Sequence, residues 1–460
     1  MYFFDEKRKQ PLHIQLYEAI KEDILTNRQK GDKLPSIRKT ATLHNLSKTT
    51  VESAYTQLCA EGYVESVPKR GYFISDLSFT QFTPPTQNRR SQNALPEAIP
   101  WRYDFFPARL RSEDFPLKLW KRLFARVIDE TIDFGSYPDG AGEMGLREQI
   151  AAYLAKSRGV VCRAEQVIVC SGFADAMSLL AKLVKRRYDT FGMEHPGYHV
   201  AHKVFADYGY NIRKIPVGKQ GLDLQALETS GAQIVYITPS HQYPTGVAMP
   251  VANRQKLLAY IKRIEGLIIE DDYDSELTYK TRPIPSLQGL DRNNRIVYMG
   301  TFAKSLSPAL RVAYMILPEH LLADYYESFD AHFPHVSITT QKTLEHFMKE
   351  GHWERHLRKI RTLYRKKHDL MKKALRKRLG KTFTIVAEGG GLAILIYPTR
   401  PFNWQKCKTL AEKKRIKLYF AKERSGGGFE ALRMGFGGFS ETEIYEAVEA
   451  FGEVWDACLR

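Results

Sequence analysis

Cysteine is scarce in this sequence, and long apolar runs are missing from it. The five cysteines are scattered and odd in number, and none forms a C-x-x-C pair, so neither a disulfide framework nor a zinc site is supported. No stretch approaches the roughly 18 uninterrupted apolar residues that a membrane span needs, and the N-terminal segment lacks the apolar core of a signal peptide. We therefore expect a protein without a bound metal or a membrane association, in a reducing, cytoplasmic setting.

Acidic residues are also fewer than basic ones. The chain has 52 Asp and Glu against 69 Lys and Arg, a net charge of +17. This excess favours polyanionic partners, nucleic acid first, although an ordinary basic enzyme would have the same composition. The densest basic run spans 353–379, where Leu357, Ile360, Tyr364 and Leu375 recur at near-helical spacing. This pattern predicts an amphipathic helix whose basic face is either solvated or in contact with DNA phosphates.

Composition divides the chain into three zones. Residues 1–75 mix short helical patterns with a hairpin, and residues 76–102 are rich in Pro, Gln, Asn, Ser and Thr without an apolar period, as in a linker. Residues 103–460 alternate apolar strands with helices, which predicts an α/β domain with a mostly parallel sheet. Ligands of such sheets lie beyond the carboxyl ends of the strands. Strands are predicted at 166–172, 232–239, 266–272, 295–300 and 312–318.

The N-terminal zone predicts two helices joined by a short turn, with a hairpin after them. Pro35 and Ser36 mark the start of one helix, and Ser47 is the expected N-cap of the next, which ends at Gly62. A strand, the basic turn PKRG and a second strand follow. A helix-turn-helix with such a hairpin is a winged helix.

Four landmarks of this zone occur in a specific order: GDKLPSIR, LSKTTVESAYTQL, EGYVE and PKRGYFI. Across residues 11–74 they resemble the winged helix-turn-helix of the GntR family. The resemblance implies double-stranded DNA as a partner, with the helix from Ser47 in the major groove and the wing tip at the minor groove. Lys48 departs from the arginine frequent in the family and cannot make its two-pronged contact to guanine. The implied DNA-contacting residues are Arg38, Ser47, Lys48, Thr49, Thr50, Lys69, Arg70 and Gly71.

A lysine follows the fourth predicted strand, in the motif TFAKSLSPALR. The amine of Lys304 at a strand end suits Schiff-base chemistry with an aldehyde cofactor such as pyridoxal 5′-phosphate. This cofactor needs an acid partner for its pyridine nitrogen, and Asp271 in EDDYDSE can supply it. The hydroxyl of Tyr273 can bond the phenolic oxygen of the ring.

Other residues supply what the phosphate and the ring of this cofactor require. The motif SGFADAM passes from a strand into a helix, so the N–H groups of Gly172, Phe173 and Ala174 point at an anion. Arg311 can pair with a phosphate through two bonds, and Tyr198 in HPGYHV can stack on the ring. Each residue alone is a weak signal, but together and in order they indicate a pyridoxal phosphate site.

Residues 103–460 resemble the class I aminotransferases of fold type I. The matching motifs are YPDGAGEMGLREQIAAYL, SGFADA, HPGY, TPSHQYPTG, EDDYDSE, TFAKSLSPALR and LRMGFGG. The resemblance implies that Lys304 is the catalytic residue, which carries the cofactor as an internal aldimine, and that Thr301 lies near the phosphate. It also implies that Arg433 binds the α-carboxylate of a substrate or effector, and that the protein is a head-to-tail homodimer.

One turn departs from the aminotransferase pattern. Aminotransferases usually carry Asn-Pro there, whereas this chain has Tyr243 before Pro244. That version, joined to a winged helix by a linker, is similar to the MocR/GabR subfamily of GntR regulators. Some members bind an amino-acid effector through an arginine two residues after the PGY tyrosine, a position that Val200 occupies here. The resemblance therefore does not identify the effector.

These patterns predict a pyridoxal phosphate-dependent transcriptional regulator that senses an amine, an amino acid or the cofactor itself through the aldimine at Lys304. The alternative is an active aminotransferase with an accessory DNA-binding domain, in which Lys304 also moves the substrate's α-proton. The missing asparagine before Pro244 counts against efficient turnover. A domain that serves dimerisation alone is disfavoured, since a scaffold needs no Lys–Asp–Arg constellation.

Overall fold

The computed structural model divides the chain into two units, Met1–Ala98 and Ile99–Arg460. The predicted linker at 76–102 lies mostly outside the described residues. Within the part of the chain that is described, no helix combines the length and the apolar character that crossing a membrane requires. The structure describes residues 2, 4, 10–77, 100–130, 132–279, 284–329, 336–386, 389–422 and 429–459.

The first unit has the helix-turn-helix and hairpin that the sequence predicts. Strands β1 and β2 pair in an antiparallel ladder from Val64↔Ile74 to Val67↔Gly71. The core of the first unit is apolar and includes Leu16, Val51 and Leu58. The elements are α1 Leu12–Asn27, α2 Ile37–His44, α3 Lys48–Ala60, β1 Val64–Val67 and β2 Gly71–Ile74.

Serine side chains begin the second and third helices. The Ser36 hydroxyl accepts the Lys39 N–H, and the Ser47 hydroxyl accepts the Thr50 N–H, so each serine satisfies a backbone donor that the helix leaves unpaired. Asn45 ends α2 in the left-handed conformation with φ of 51°, which makes the turn between the two helices short. Both predicted helix starts are confirmed.

The second unit contains the remaining strands and helices. Its strands are β3 Tyr103–Asp104, β4 Val167–Cys170, β5 Thr190–His195, β6 Asn211–Gly218, β7 Gly221–Leu222, β8 Ile234–Ile237, β9 Leu267–Asp271, β10 Ile296–Thr301, β11 Ala313–Ile316, β12 Phe383–Val386, β13 Ala393–Pro398, β14 Ile416–Lys417, β15 Tyr419–Lys422 and β16 Phe429–Gly435. Its helices are α4 Leu117–Asp129, α5 Met144–Arg158, α6 Phe173–Val184, α7 His199–Asp207, α8 Leu224–Ser230, α9 Val251–Arg263, α10 Leu287–Leu290, α11 Leu322–Ser328, α12 Ile338–Lys349, α13 His352–Leu379, α14 Trp404–Lys413 and α15 Glu441–Cys458.

The large sheet of this unit has the strand order β4-β11-β10-β9-β8-β5-β6-β7. The neighbours from β10 to β6 pair in parallel, and β11 is antiparallel to both β10 and β4. All five predicted strands are present, as β4, β8, β9, β10 and β11, and the mostly parallel sheet is confirmed. Strands β5 and β6 were not predicted, because polar and glycine residues interrupt their apolar pattern.

This topology gathers several chain segments at one edge of the sheet. Strands β5, β8, β9 and β10 are parallel, so their carboxyl ends lie on the same side. Strand β4 reaches that side as well, since β11 is antiparallel to both β4 and β10. Asp271 is the last residue of β9, and the loops after the other strands carry Gly172, Tyr198 and Lys304.

A smaller antiparallel sheet has the order β12-β13-β16-β15 and packs with the last helices. Helix α13 is the predicted amphipathic helix, and its apolar positions Leu357, Ile360 and Leu375 are buried. On its exposed face, the Lys366 amine pairs with the Glu441 carboxylate at 2.8 Å. Part of the basic face is therefore neutralised by the protein's own acid groups.

Candidate functional site

Lys304 lies directly after β10, in a pocket at the carboxyl edge of the sheet. Its Nζ atom is 3.9 Å from the centre of the Tyr273 ring. Burial lowers the pKa of the Lys304 amine to about 8, although the Asp274 and Asp271 carboxylates partly offset this effect. At pH 7 about a tenth of the amine is therefore neutral, far more than of an ordinary lysine, and the neutral amine is the form that attacks an aldehyde.

Three consecutive carboxyl groups, Glu270, Asp271 and Asp272, lie at the end of β9 and directly after it, and the first and third are held by N–H groups of the protein. Two backbone N–H groups at the start of α10 donate to Glu270. The Arg158 guanidinium donates to both oxygens of Asp272, at 2.6 and 3.0 Å. Within the described residues, Asp271 accepts a side-chain hydrogen bond only from the Tyr236 hydroxyl, at 2.6 Å. Asp271 is thus the carboxyl group with hydrogen-bonding capacity to spare.

The Asp271 carboxyl is also poised to change its charge. Burial raises its pKa to about 7, while the Tyr236 hydrogen bond and the Lys304 charge act in the opposite direction. A proton shared with a neighbouring ring nitrogen would relieve the cost of this burial. Such a carboxyl group suits a pyridine nitrogen that has to stay protonated.

A cradle for an anion lies where β4 passes into α6. Gly172 is the N-cap of this helix with φ of 91°. The Arg311 guanidinium donates to the Ser171 carbonyl at 3.2 Å. A Cβ atom at position 172 would lie 2.2 Å from Arg311 Nη2, so only glycine leaves room for the guanidinium. The free N–H groups of the helix start at Phe173 and Ala174 complete a donor set that fits a phosphate.

Two further predicted residues shape the walls of the site. Thr301 ends β10, and its hydroxyl accepts the Ala303 N–H at 3.1 Å, which holds the turn that leads to Lys304. Tyr198 packs edge to face against Phe173, with ring centres 5.2 Å apart, and against Tyr243 at 5.3 Å. The edge thus offers an amine, a spare carboxyl, an anion cradle and an aromatic wall, which together fit pyridoxal 5′-phosphate.

Arg433 comes from β16 of the smaller sheet and lines the same pocket. Its guanidinium carbon is 4.3 Å from the centre of the Tyr243 ring, and its Nη1 donates to the Tyr243 hydroxyl. No carboxylate of the described residues is recorded in an ion pair with Arg433. Tyr243, which replaces the usual asparagine, therefore orients an arginine that is free to bind an anionic ligand group.

Sequence reasoning missed a histidine–aspartate pair in this pocket. The His241 Nδ1 and Asp274 Oδ2 atoms are 2.7 Å apart, and the His241 ring stacks near Tyr273 at 6.2 Å. His241 belongs to the motif SHQYPTG and Asp274 to EDDYDSE. The usable signal was that both motifs follow strands that could be neighbours.

The predicted DNA-contacting residues of the first unit lie on its surface at two places. At the start of α3, Lys48 and Thr49 are exposed, as is Arg38 in α2. The Ser47 and Thr50 hydroxyls lie 2.8 Å apart, so they satisfy each other at the helix cap. These two residues therefore have a structural role in addition to the one predicted for them.

The wing tip presents the other predicted contacts. Lys69 and Arg70 are exposed, and Arg70 lies over the Phe73 ring at 5.5 Å. Lys69 and Gly71 adopt positive φ angles of 62° and 110°, which make the turn between β1 and β2 tight. Two cations thus project from the end of the hairpin.

Comparison with protein families assigns both units. Residues 12–74 match the family described as bacterial regulatory proteins, gntR family, and residues 109–451 match aminotransferase class I and II. The regulator YdeL of Bacillus subtilis, described as an uncharacterized HTH-type transcriptional regulator, is 38% identical over 97% of both chains. MocR of Rhizobium meliloti, a probable rhizopine catabolism regulatory protein, is 34% identical over 87% of this chain and 84% of its own.

Solved structures agree with the fold of the second unit. Kynurenine aminotransferase of Pyrococcus horikoshii, in complex with PMP, has a TM-score of 0.68 and 22% identity over 77% of this chain and 90% of its own. LysN of Thermus thermophilus, an α-aminoadipate aminotransferase complexed with N-(5′-phosphopyridoxyl)-L-leucine, has a TM-score of 0.68 and 25% identity over 77% and 92%.

The fold and the site define a winged helix-turn-helix DNA-binding domain joined to a pyridoxal phosphate domain of the aminotransferase fold. The chain belongs to the gntR family of bacterial regulatory proteins, among its MocR-like HTH-type transcriptional regulators. It is a DNA-binding transcriptional regulator with pyridoxal 5′-phosphate as its cofactor. The predicted family, fold class, cofactor and general function are confirmed.

Proposed function

We propose that this regulator binds an amine or amino acid at the Lys304 pocket and that this binding changes its affinity for DNA. The observation that carries the proposal is the position of Lys304, whose amine lines the same pocket as the unpaired Arg433 guanidinium. An amino acid offers an amine and a carboxylate at a fixed spacing, and these two groups match the two protein groups.

The residues predicted for the cofactor site each have a proposed part in holding the cofactor. When bound, pyridoxal phosphate supplies an aldehyde for amines and a ring that withdraws electrons. Lys304 provides the amine that attaches it, and Asp271 holds the proton at the ring nitrogen. Tyr273 bonds the phenolic oxygen, and Tyr198 covers the ring. The phosphate is bound by Gly172, Phe173, Ala174, Thr301 and Arg311.

The winged helix provides the proposed DNA contacts. Helix α3 enters the major groove with Lys48 and Thr49 at its start, while Arg38 binds the adjacent phosphates. Ser47 and Thr50, which cap the start of α3, place this helix end at the DNA backbone. Lys69, Arg70 and Gly71 form the wing tip at the minor groove. The domain boundaries that go with this proposal are 1–75, 76–102 and 103–460.

A homodimer is part of the proposal, because several large apolar side chains of the second unit are exposed. The exposed apolar side chains of α4 recur at helical spacing, and an exposed apolar patch of this kind marks an interaction site. A second copy of the chain, head to tail, would bury it and present two winged helices to two DNA half-sites in a cytoplasmic setting. The exposed side chains are Leu117, Phe124, Ile128, Phe134 and Tyr137.

Residual aminotransferase activity is the second candidate function. The lowered pKa of Lys304 supports it, because a neutral amine can also accept an α-proton. Tyr243 argues against efficient turnover, because it occupies the position of the usual asparagine and its hydroxyl is engaged by Arg433. Incubation with an amino acid, followed by a keto acid, separates the two functions: a regulator changes its visible spectrum and DNA affinity, whereas an aminotransferase releases a keto acid over many turnovers.

A further inference from the structure

The His241–Asp274 pair has no part in the cofactor contacts proposed above, yet it lines the same pocket as Lys304 and Arg433. His241 follows β8 and Asp274 follows β9, and because these strands are parallel neighbours, their carboxyl ends bring the two side chains together. The Asp274 side chain is only 6% exposed, and its Oδ2 atom lies 2.7 Å from His241 Nδ1, within hydrogen-bond distance. The pair is a fixed element of the pocket wall.

The second nitrogen of the imidazole is left without a partner. His241 Nε2 is buried and has no hydrogen-bond partner among the described residues. A buried polar atom in this condition is costly, and the usual explanation is a water or a ligand that completes it. Since Nδ1 is occupied by Asp274, Nε2 is the ring atom available to a molecule in the pocket.

Asp274 determines what Nε2 offers to that molecule. Burial lowers the pKa of His241, but the charge of Asp274 and its hydrogen bond outweigh burial and raise the pKa above its ordinary value, against the opposing charges of Lys304 and Arg433. In the protonated ring, Nδ1–H donates to Asp274 and Nε2–H is a free donor. The pair as a whole is then neutral, so it adds a hydrogen bond to the pocket without adding net charge.

The chain keeps space open beside this pair. Gly391, from the loop before β13, has φ of 76°, and a Cβ atom there would lie 2.9 Å from Asp274 Oδ2 and 3.6 Å from His241 Cε1. Any side chain at position 391 would press against the pair. Glycine therefore preserves both the pair and the room next to it.

We infer that His241 Nε2 is a second anchor for the effector, and that the effector is an amino acid with a hydroxyl or amide group in its side chain. The inference rests on the proposed function, in which Arg433 binds the α-carboxylate and the Lys304 end of the pocket receives the amine. The α-carboxylate of the ligand balances the charge of Arg433. A hydroxyl or amide group can pair with Nε2 whether or not that nitrogen carries a proton, whereas a carboxylate can only accept a hydrogen bond, so a hydroxyl or amide suits this anchor better than a second carboxylate does.

The test uses pairs of amino acids that have the same shape but differ in the oxygen. The full-length protein loaded with pyridoxal phosphate is titrated with L-serine against L-2-aminobutyrate, L-threonine against L-valine, and L-asparagine against L-leucine, with the visible absorbance band as the readout. In the wild-type protein, the oxygen-bearing member of at least one pair binds about tenfold more tightly than its isostere. In His241→Phe this preference falls below about twofold, while the affinity for the apolar member is retained.

A second variant keeps the inference decidable if His241→Phe does not take up cofactor. His241→Gln places an amide donor near the position of Nε2 and is expected to retain part of the preference. A wild-type protein that prefers no oxygen-bearing member overturns the inference, as does a preference that survives both substitutions. Failure of the proposed function looks different: no amino acid changes the band of the wild-type protein, or the band persists in Lys304→Ala.

Discussion

The Arg311 guanidinium occupies the space that a side chain at Gly172 would need, with Nη2 2.2 Å from the position of a Cβ atom there. The glycine at the start of α6 and the arginine after β10 thus form one cradle, although 139 positions separate them in the numbering of the chain. No side chain fits at position 172 without displacing Arg311. This relationship is the most direct structural support for a phosphate site.

Gly172→Ala is therefore expected to weaken cofactor binding at least about tenfold, because the new methyl group displaces Arg311 and strains a residue with positive φ. The measurement is a spectrophotometric titration of the cofactor-free protein with pyridoxal phosphate. Gly231→Ala is the matched control, since Gly231 also has positive φ, at 68°, but nothing lies within 4 Å of its Cβ position. An equal loss of affinity in both variants would contradict the cradle.

The rate of cofactor attachment is expected to depend on the charge of Lys304. The pKa of the Lys304 amine is lowered to about 8, so the fraction of neutral, reactive amine increases as the pH rises through about 8. The rate is therefore expected to level off well below the pH at which an ordinary lysine loses its proton. Stopped-flow absorbance from about pH 7 to about pH 10 measures this rate. A rate that keeps rising through the range of an ordinary lysine would show that the amine is not perturbed.

Asp271 and Asp272 are adjacent but have separate tasks, which paired substitutions can resolve. Asp272→Asn leaves the buried Arg158 charge uncompensated and is expected to cost about 3–5 kcal/mol of unfolding free energy. Asp271→Asn removes no ion pair, so it is expected to keep most of the stability but to weaken cofactor binding and shift the visible band. Chemical denaturation and cofactor titration of both variants are the measurements. Exchange of the two phenotypes would refute the assignment of Asp271 to the ring nitrogen.

Ser47 and Lys48 are neighbours at the start of α3, but their substitutions are expected to have different effects, because Ser47 caps the helix and Lys48 is proposed to contact DNA. Ser47→Ala removes the α3 cap and is expected to cost about 1 kcal/mol of stability. Lys48→Ala keeps the cap and is expected to reduce the salt dependence of DNA binding by roughly one unit of slope. Binding at several salt concentrations, together with thermal unfolding, distinguishes the two. If Lys48→Ala leaves the slope unchanged, Lys48 does not contact a phosphate.

The sequence predicts the strands that have continuous apolar runs and the polar motifs that directly follow them. The five strands with continuous apolar runs were found, and so were Asp271 and Lys304 at their ends. Strands β5 and β6 escaped because TFGMEH and NIRKIPVG mix polar, glycine and proline residues with apolar ones. Their backbone pairs within the parallel sheet all the same.

The contacts that sequence reasoning could not supply join distant segments. His241 and Asp274 meet only because β8 and β9 are neighbours, and that order is a property of the sheet. Arg158 binds Asp272 across 114 positions, which leaves Asp271 rather than its neighbour as the candidate partner of the cofactor. A run of acidic residues alone does not reveal which of its members is already neutralised.

The measurement that tests the central claim most directly is the visible absorbance of the purified full-length protein, wild type and Lys304→Ala, titrated with amino acids while binding to operator-length DNA is followed in parallel. The predicted result has two parts. The cofactor band requires Lys304, and an amino acid that changes this band lastingly also changes the affinity for DNA. A band independent of Lys304, or a band that responds to amino acids with no change in DNA binding, would contradict the account.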